Sequence, residues 1–419
     1  MADASKFSQL RDAHWLDAKS VRFWALMLLL VDLFPIIFRL LTGDGLIDRN
    51  GMPFGGDYIS FFAASRLALS GHAADAWRPE LHHAAETAVF SRDLGYWAFF
   101  YPPPYLLLCL PLGLVSYGWS AVIALGTTTG LMLAIVRTWL ARMMVGVKAD
   151  GARAIWLPLI AFPGIWMNIA CGQNAALTTA IMAGGCLLLQ RAPVASGLVF
   201  GLLIIKPQLA LALPFVLAAS GRWKTFFAAG VSAFALCLAA WLVFGTEGYL
   251  AFFANSALAR ATLDQGFVDA AKMQSLFGAL KTLGLPNVVA YVAQILLAGI
   301  VLARAGWIAV RLRPDALAFG ALLASASLLV SPFLLDYDLL MIVLPLGWLI
   351  LTGVREGFRP YEKLLCIWIF LLPAVARGLA EIVHVPLGAL SVCLLFWLVQ
   401  GRMAKTADMN MSAVLKPST

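Results

Sequence analysis

Apolar runs long enough to cross a lipid bilayer recur in this chain from Val21 almost to its C-terminus. A helix needs about 20 consecutive apolar residues to span a hydrocarbon core about 30 Å thick. Inside that core no water is available to satisfy an open backbone group, so the spans must be helices or a closed barrel. Continuous runs, rather than segments of alternating polarity, exclude an outer-membrane barrel. Composition agrees: 62% of the 419 residues are hydrophobic and only 12% are charged, with a mean hydropathy of +0.86, far outside the soluble globular range. The fold class expected is an all-α polytopic membrane protein. The excess of 30 Lys and Arg over 22 Asp and Glu is assigned to loops beside anionic lipid head groups, not to nucleic acid. Six cysteines lie scattered in apolar segments without metal-like spacing, so no disulfide framework or zinc site is expected.

Taken in order, residues 1–20 read as a polar cytoplasmic segment, 21–401 as one transmembrane domain, and 402–419 as a cytoplasmic disordered tail. The first run is too long for a signal-peptide core and lacks a small-residue cleavage site. Residues 42–96 form a loop longer than a compact bundle needs. Within it, Tyr58–Leu69 and Pro79–Arg92 read as helices lying in the interface plane, with His82, His83, Glu86 and Arg92 on a polar side. A second long loop covers 245–286. About twelve spans put both termini inside and both loops outside. Arg222, Lys224, Arg311, Arg313, Arg355, Arg359 and Lys363 then fall inside, whereas Arg142, Lys148 and Arg153 fall outside. The spans near 155–171 and 175–189 are short, which leaves a re-entrant segment open.

Several polar groups stand out against this background. Asp57, after Gly55-Gly56, sits where a membrane segment has just ended; it is either a base at the membrane rim or a turn and helix-capping residue. Lys206 lies mid-span, where a charge costs about 2.5–3.5 kcal/mol. It therefore needs an anionic partner: a phosphate inside the bundle or an internal carboxylate such as Asp336 or Asp338, unless it snorkels to an interface. Pro207 breaks the helix there and Gln208 adds a polar group. Gln173 and Asn174 are interhelical glue or ligand contacts. Asp336 and Asp338 would bind a cation or sugar hydroxyls, orient a cationic neighbour, or cap a helix. His82 and His83 are adjacent and point apart, so no metal site is expected there. A divalent cation is compatible with the acidic residues but not required. No P-loop, GxSxG or HExxH pattern is present. An enzyme whose carboxylates lie outside the cell would need a donor already in the membrane. The competing class is a lipid or sugar transporter or flippase with Lys206 and the Asp336/Asp338 pair at its midplane, although no inverted repeat is visible.

The ordered set Gly56-Asp57-Tyr58, Tyr101-Pro102-Pro103-Pro104, Gly172-Gln173-Asn174, Lys206-Pro207-Gln208, Met273-Gln274-Ser275, and Ser331-Pro332 with Asp336-Tyr337-Asp338 resembles the glycosyltransferase 87 family. These proteins, also described as DUF2029, have the polytopic GT-C fold and include bacterial polyprenyl-phosphate-mannose-dependent mannosyltransferases. The resemblance runs over roughly residues 20–350. It implies a GT-C-type bundle in the bacterial inner membrane with an external active site under the first long loop. It also implies a hexose, mannose foremost, passed from a polyprenyl-phosphate donor to an envelope glycolipid or glycan. The family's loop aspartate, its catalytic base, maps onto Asp57. Transfer would be a direct inverting displacement, with Lys206 foremost and Arg66, Arg260 and Lys272 beside it for the donor phosphate. Tyr58, Tyr101, Gln173, Asn174, Gln208, Gln274, Ser275, Asp336, Tyr337 and Asp338 become substrate contacts, with no metal and no cofactor. Where some members carry a histidine after the Ser-Pro element, this chain has Asp336-Tyr337-Asp338.

Overall fold

The computed structural model describes residues 10–144, 155–264 and 269–414. Lys148 and Arg153 lie outside the described residues. The helices, in chain order, are α1 (Ala18–Thr42), α2 (Tyr58–Leu69), α3 (Pro79–Phe90), α4 (Pro103–Cys109), α5 (Tyr117–Met143), α6 (Trp156–Ile160), α7 (Pro163–Cys171), α8 (Ala175–Leu188) and α9 (Pro193–Gly201). They continue with α10 (Pro207–Ala210), α11 (Ala212–Ala219), α12 (Trp223–Asp264), α13 (Leu276–Thr282), α14 (Asn287–Arg311), α15 (Ala316–Val330), α16 (Val343–Glu356), α17 (Glu362–Val383) and α18 (Leu387–Val414). The protein is an all-α polytopic membrane protein. Among the described residues, seven helical stretches are long and apolar enough to cross a bilayer: α1, α5, α12, α14, α17, α18 and the 3-10 turn Asp336–Ile342 continued by α16. The other apolar runs are shorter helices.

Close packing is set by small residues. Gly197 and Gly201, one turn apart on α9, lie against the backbone of α12. A Cβ at Gly197 would stand 2.4 Å from Thr225 O, and one at Gly201 2.5 Å from Ala229 O. With no hydrophobic drive between helices in lipid, this small-xxx-small approach supplies the contact. At the centre, every residue of α15 except Leu317 is buried, and Gly320 makes room for the Trp139 ring. By contrast, only 6% of the apolar window of α1 is buried. It stands off from the bundle with Phe34 and Leu41 exposed.

Four expectations change. α2 does not lie on a membrane surface, because Tyr58 through Ser65 are all buried and the helix packs on the 3-10 turn Leu110–Leu114 and on α3. In α3 the polar side is reversed, since His82 and Glu86 are its buried residues. The loop at 245–286 begins as helix: α12 bends at Gly245 (φ 69°) and continues to Asp264. The dihedrals there (ψ −177°) leave the helical region, so the stretch is two helical segments joined at a glycine kink. The tail does not start at Arg402, which is buried inside α18 and pairs with Glu362 through its guanidinium.

Predicted span breaks occur where irregular backbone is buried in protein. After α9 the chain tightens to a 3-10 turn, Leu202–Ile205, and opens at Lys206 (φ −141°, ψ 71°) before Pro207 restarts helix. Proline lacks the N–H needed to continue the earlier ladder. A similar break between α7 and α8 holds Gly172-Gln173-Asn174.

Candidate active site

Asp57 is placed by two glycine turns that press on each other. Gly55 and Gly56 take φ of 80° and 48°, and Gly172 takes 64°. A Cβ at Gly172 would fall 1.7 Å from Gly55 O, so only glycine there admits the Asp57 loop. The approach lets Asp57 N donate to Cys171 O at 3.1 Å. Asp57 occupies the capping position of α2, yet its side chain makes no capping bond. Instead Asp57 Oδ2 accepts from Gln173 Nε2 at 2.5 Å, and Gln173 Oε1 accepts from Tyr101 Oη at 2.7 Å. Two residues 72 positions apart thus hold the carboxylate in one orientation. Burial raises the Asp57 pKa above the ordinary aspartate value, while the Gln173 bond and the charges of Lys272, Lys206 and Arg377 pull it back.

The Asp57 carboxylate lines a cavity of about 590 Å³ between α1, α7 and α17. Its lining carries three cations, Arg39, Lys272 and Arg377, and two further carboxylates, Asp32 and Asp48, with Arg39 Nε 3.6 Å from Asp48 Oδ2. The poorly buried α1 contributes Asp32 and Arg39 together with the apolar Val31, Pro35 and Ile36. Such a cavity places Asp57 in a mixed-charge lining beside apolar side chains of α1.

Lys206 lies elsewhere. Its Nζ is 2.5 Å from Asp338 Oδ1 and 3.3 Å from Asn174 Oδ1, with 2% and 0% side-chain exposure for the lysine and the aspartate. It also sits 4.8 Å from the Tyr337 ring centroid and 5.9 Å from that of Tyr101. Lys206 does not line the cavity; of the partners open to it in the sequence, the internal carboxylate is the one found. Arg66 is also away, its Nη1 donating to Gly113 O at 3.3 Å, and Arg260 stacks over Tyr291. Of the four cations expected for the donor phosphate, only Lys272 faces Asp57's cavity. Sequence reasoning missed Arg39 and Arg377, both charges set inside apolar runs, which was the available signal.

The remaining motifs support these groups. Tyr58 is core, its Oη 2.6 Å from Ser120 Oγ. Gln208 is half-buried beside the Lys206 break and outside the cavity. Gln274 N donates to Leu334 O at 2.7 Å and its Nε2 to Ala271 O at 2.8 Å. Ser275 Oγ donates to Pro332 O at 2.5 Å and caps α13 through Gly278 N. This pairing of 273–275 with 332–335 fixes the neighbouring Lys272 at the cavity. Asp336 accepts from Tyr337 N through Oδ1, and its Oδ2 is 3.8 Å from Arg377 Nη1, while Arg377 Nε donates to Glu381 Oε1 at 2.6 Å and so fixes the guanidinium. Among the described residues no group of three or more His, Cys, Asp or Glu is placed to hold a metal ion.

The family model for glycosyltransferase family 87 matches residues 99–332, more than half of the chain, and takes in Tyr101, Gln173, Asn174, Lys206, Gln274 and Ser275. The chain belongs to glycosyltransferase family 87. No curated protein and no solved structure matches it. Family 87 membership makes the protein a membrane glycosyltransferase, with a sugar donor, an acceptor and lipid contact. The family 87 match begins after Asp57 and ends before Asp336. Asp57, Arg39 and Arg377 therefore join the family core from flanking segments, and their roles rest on geometry.

Proposed function

We propose that this protein transfers a hexose, mannose first among candidates, from a polyprenyl-phosphate sugar to an envelope glycolipid or glycan acceptor, with Asp57 as the general base. The carrying observation is that Asp57 shares a cavity of about 590 Å³ with Lys272, Arg39 and Arg377, lined also by Asp32, Asp48 and the apolar Val31, Pro35 and Ile36 of α1. The isoprenoid would lie along α1 and its phosphate against the three cations. In one inverting step the acceptor hydroxyl attacks the anomeric carbon, Asp57 takes the hydroxyl proton, and the polyprenyl phosphate departs with the bonding electrons. The cations stabilise the charge that develops on the leaving oxygen. Gln173 and Tyr101 hold the carboxylate in line, and the Lys206–Asp338 pair braces the turn that carries Gln173. No cofactor enters, and the site would open on the external face of the bacterial inner membrane. The flippase alternative needs Lys206 and Asp338 on a substrate path, but these two groups satisfy each other in the core.

The test is transfer from polyprenyl-phosphate mannose to an extract of envelope lipids by the purified chain in lipid. Asp57→Asn is expected to lower kcat by about 10²–10⁴-fold, the range of general-base catalysis, with donor affinity unchanged. Residual turnover within tenfold of wild type would remove Asp57 from the base role. The base must be ionised, so kcat/KM is expected to fall as pH drops through the Asp57 pKa. Because burial raises that pKa, the acid limb should lie above the ordinary aspartate value.

A further inference from the structure

We infer that His82 and Glu86 are a positioning pair that locks the back of the Asp57 site, and that the lock holds only while Glu86 is neutral. The inference rests on the transferase reading for its catalytic consequence. Both side chains are buried, at 0% and 1% exposure, with His82 Nδ1 3.6 Å from Glu86 Oε1. His82 Nε2 lies 3.1 Å from Ser60 O. A carbonyl oxygen only accepts, so Nε2 carries the proton and Nδ1 of the neutral ring is an acceptor. Nδ1 and Glu86 Oε1 face each other just beyond hydrogen-bond reach, and neither has a hydrogen-bond partner. Two facing acceptors would repel, whereas a proton on Glu86 Oε1 would satisfy both once the pair closes by a few tenths of an ångström. Glu86 Oε2 meanwhile accepts from Trp97 N at 3.1 Å.

The pair thus ties together two walls of the site. Ser60 belongs to the first turn of α2, the helix that Asp57 begins, and Trp97 lines the cavity. The groups acting on Glu86 are His82 on its own helix and Asp57 ahead of α2, with Tyr96 and Tyr117 coupled to it from the neighbouring segments. Among the described residues it forms no ion pair with lysine or arginine. Burial, seconded by the Asp57 charge against the opposing Trp97 bond, raises its pKa from 4.5 to about 8. Burial likewise lowers His82 from 6.5 to about 4. Ionising Glu86 would place an unpaired anion beside the base and remove the proton shared with His82.

The signs separate the two groups. Glu86's contribution to stability is complete below its unfolded value of 4.5 and is lost as pH rises to about 8. His82's contribution is complete above 6.5 and is lost as pH falls toward 4. Between pH 6.5 and 8, Glu86 and not His82 sets the pair's slope.

The experiment compares the full chain with Glu86→Gln and Glu86→Leu. Glutamine keeps an acceptor for Trp97 N and supplies a fixed donor to His82 Nδ1, whereas leucine supplies neither. In substrate-free thermal unfolding, the wild-type Tm is expected to fall from pH 6.5 to 8 and the Glu86→Gln Tm to stay level. Parallel curves would overturn the neutral pair whatever the protein's reaction. In transfer from polyprenyl-phosphate mannose to envelope-lipid extract, wild-type kcat is expected to drop about tenfold between pH 7 and 9, as the cited pKa requires. Glu86→Gln should lose that alkaline limb, and Glu86→Leu should have lower kcat at every pH. An unchanged limb in Glu86→Gln, or a tenfold loss for it at pH 7, overturns the positioning role. Absence of wild-type transfer with the Tm result intact would overturn the polyprenyl-phosphate-mannose reading and leave the pair's effect on stability standing by itself.

Discussion

The protein holds two buried clusters of opposite charges, and they differ in whether the protein itself closes the account. At Lys206 the cation meets Asp338 at 2.5 Å and Asn174 at 3.3 Å, in a site closed to the cavity. At Asp57 the carboxylate meets an amide, while Arg39, Lys272 and Arg377 face the same open space. The first cluster is complete without a ligand. In the second, Arg39 is held by Asp48 and Arg377 by Glu381 and Asp336, which leaves Lys272 as the cavity cation with no carboxylate in ion-pair reach among the described residues, and the one an incoming lipid phosphate would complete. A charge inside a membrane protein points to a ligand only after its protein partners have been counted.

Single substitutions can break this contrast. The largest effect is expected at Lys206→Met, which strands Asp338 in the core. Orphaning one partner of a buried pair costs about 3–5 kcal/mol, seen as a lower Tm and loss of folded protein. Adding Asp338→Leu should restore much of it. If Lys206→Met instead folds normally and loses donor binding, Lys206 belongs to the substrate site and the contrast fails. Next comes Lys272→Gln, which removes the cavity cation that has no carboxylate in ion-pair reach among the described residues. Charged hydrogen bonds are worth about 1.5–3 kcal/mol, so donor KM should rise about 10- to 100-fold with Tm little changed; an unaltered KM would dissociate Lys272 from the phosphate. Gly172→Ala tests the loops themselves: its Cβ would stand 1.7 Å from Gly55 O on a backbone with φ of 64°, so one loop must move. It should cost more stability than ordinary overpacking, which costs about 1–3 kcal/mol, and lower kcat more than it raises KM because the Asp57–Gln173 bond is displaced. A loss confined to KM would mean that Gly172 shapes substrate binding, not the base.

The membrane class was written in the apolar runs, since nothing else tolerates them. That Asp57, Tyr101, Gln173, Asn174, Lys206, Gln274, Ser275 and Asp336 to Asp338 are the polar groups to examine was also legible, because each interrupts an apolar stretch; that they divide between the Asp57 cavity, the closed Lys206–Asp338 pair and loop bracing was not. Nor was their pairing. Whether Lys206 would meet Asp338 or a phosphate depends on where the backbone opens after Ile205, and sequence spacing does not set that. Arg39 and Arg377 were missed because each was absorbed into a span, though a lone arginine within a span deserved the question asked of Lys206. His82 and Glu86 are four residues apart and so share a helix face; nothing local says that the face turns inward. The reach of α12 past Gly245 was hidden because a glycine that can end a helix can also bend one.

The contact between Gly55 and Gly172 ties the fates of two distant stretches of chain. With the carbonyl of one occupying the place where a side chain of the other would grow, neither loop can drift in sequence alone. A mutational library that varies the segment before residue 99 and the segment after it separately would therefore recover few working proteins. Shuffling that half-site between relatives would require exchanging both loops together.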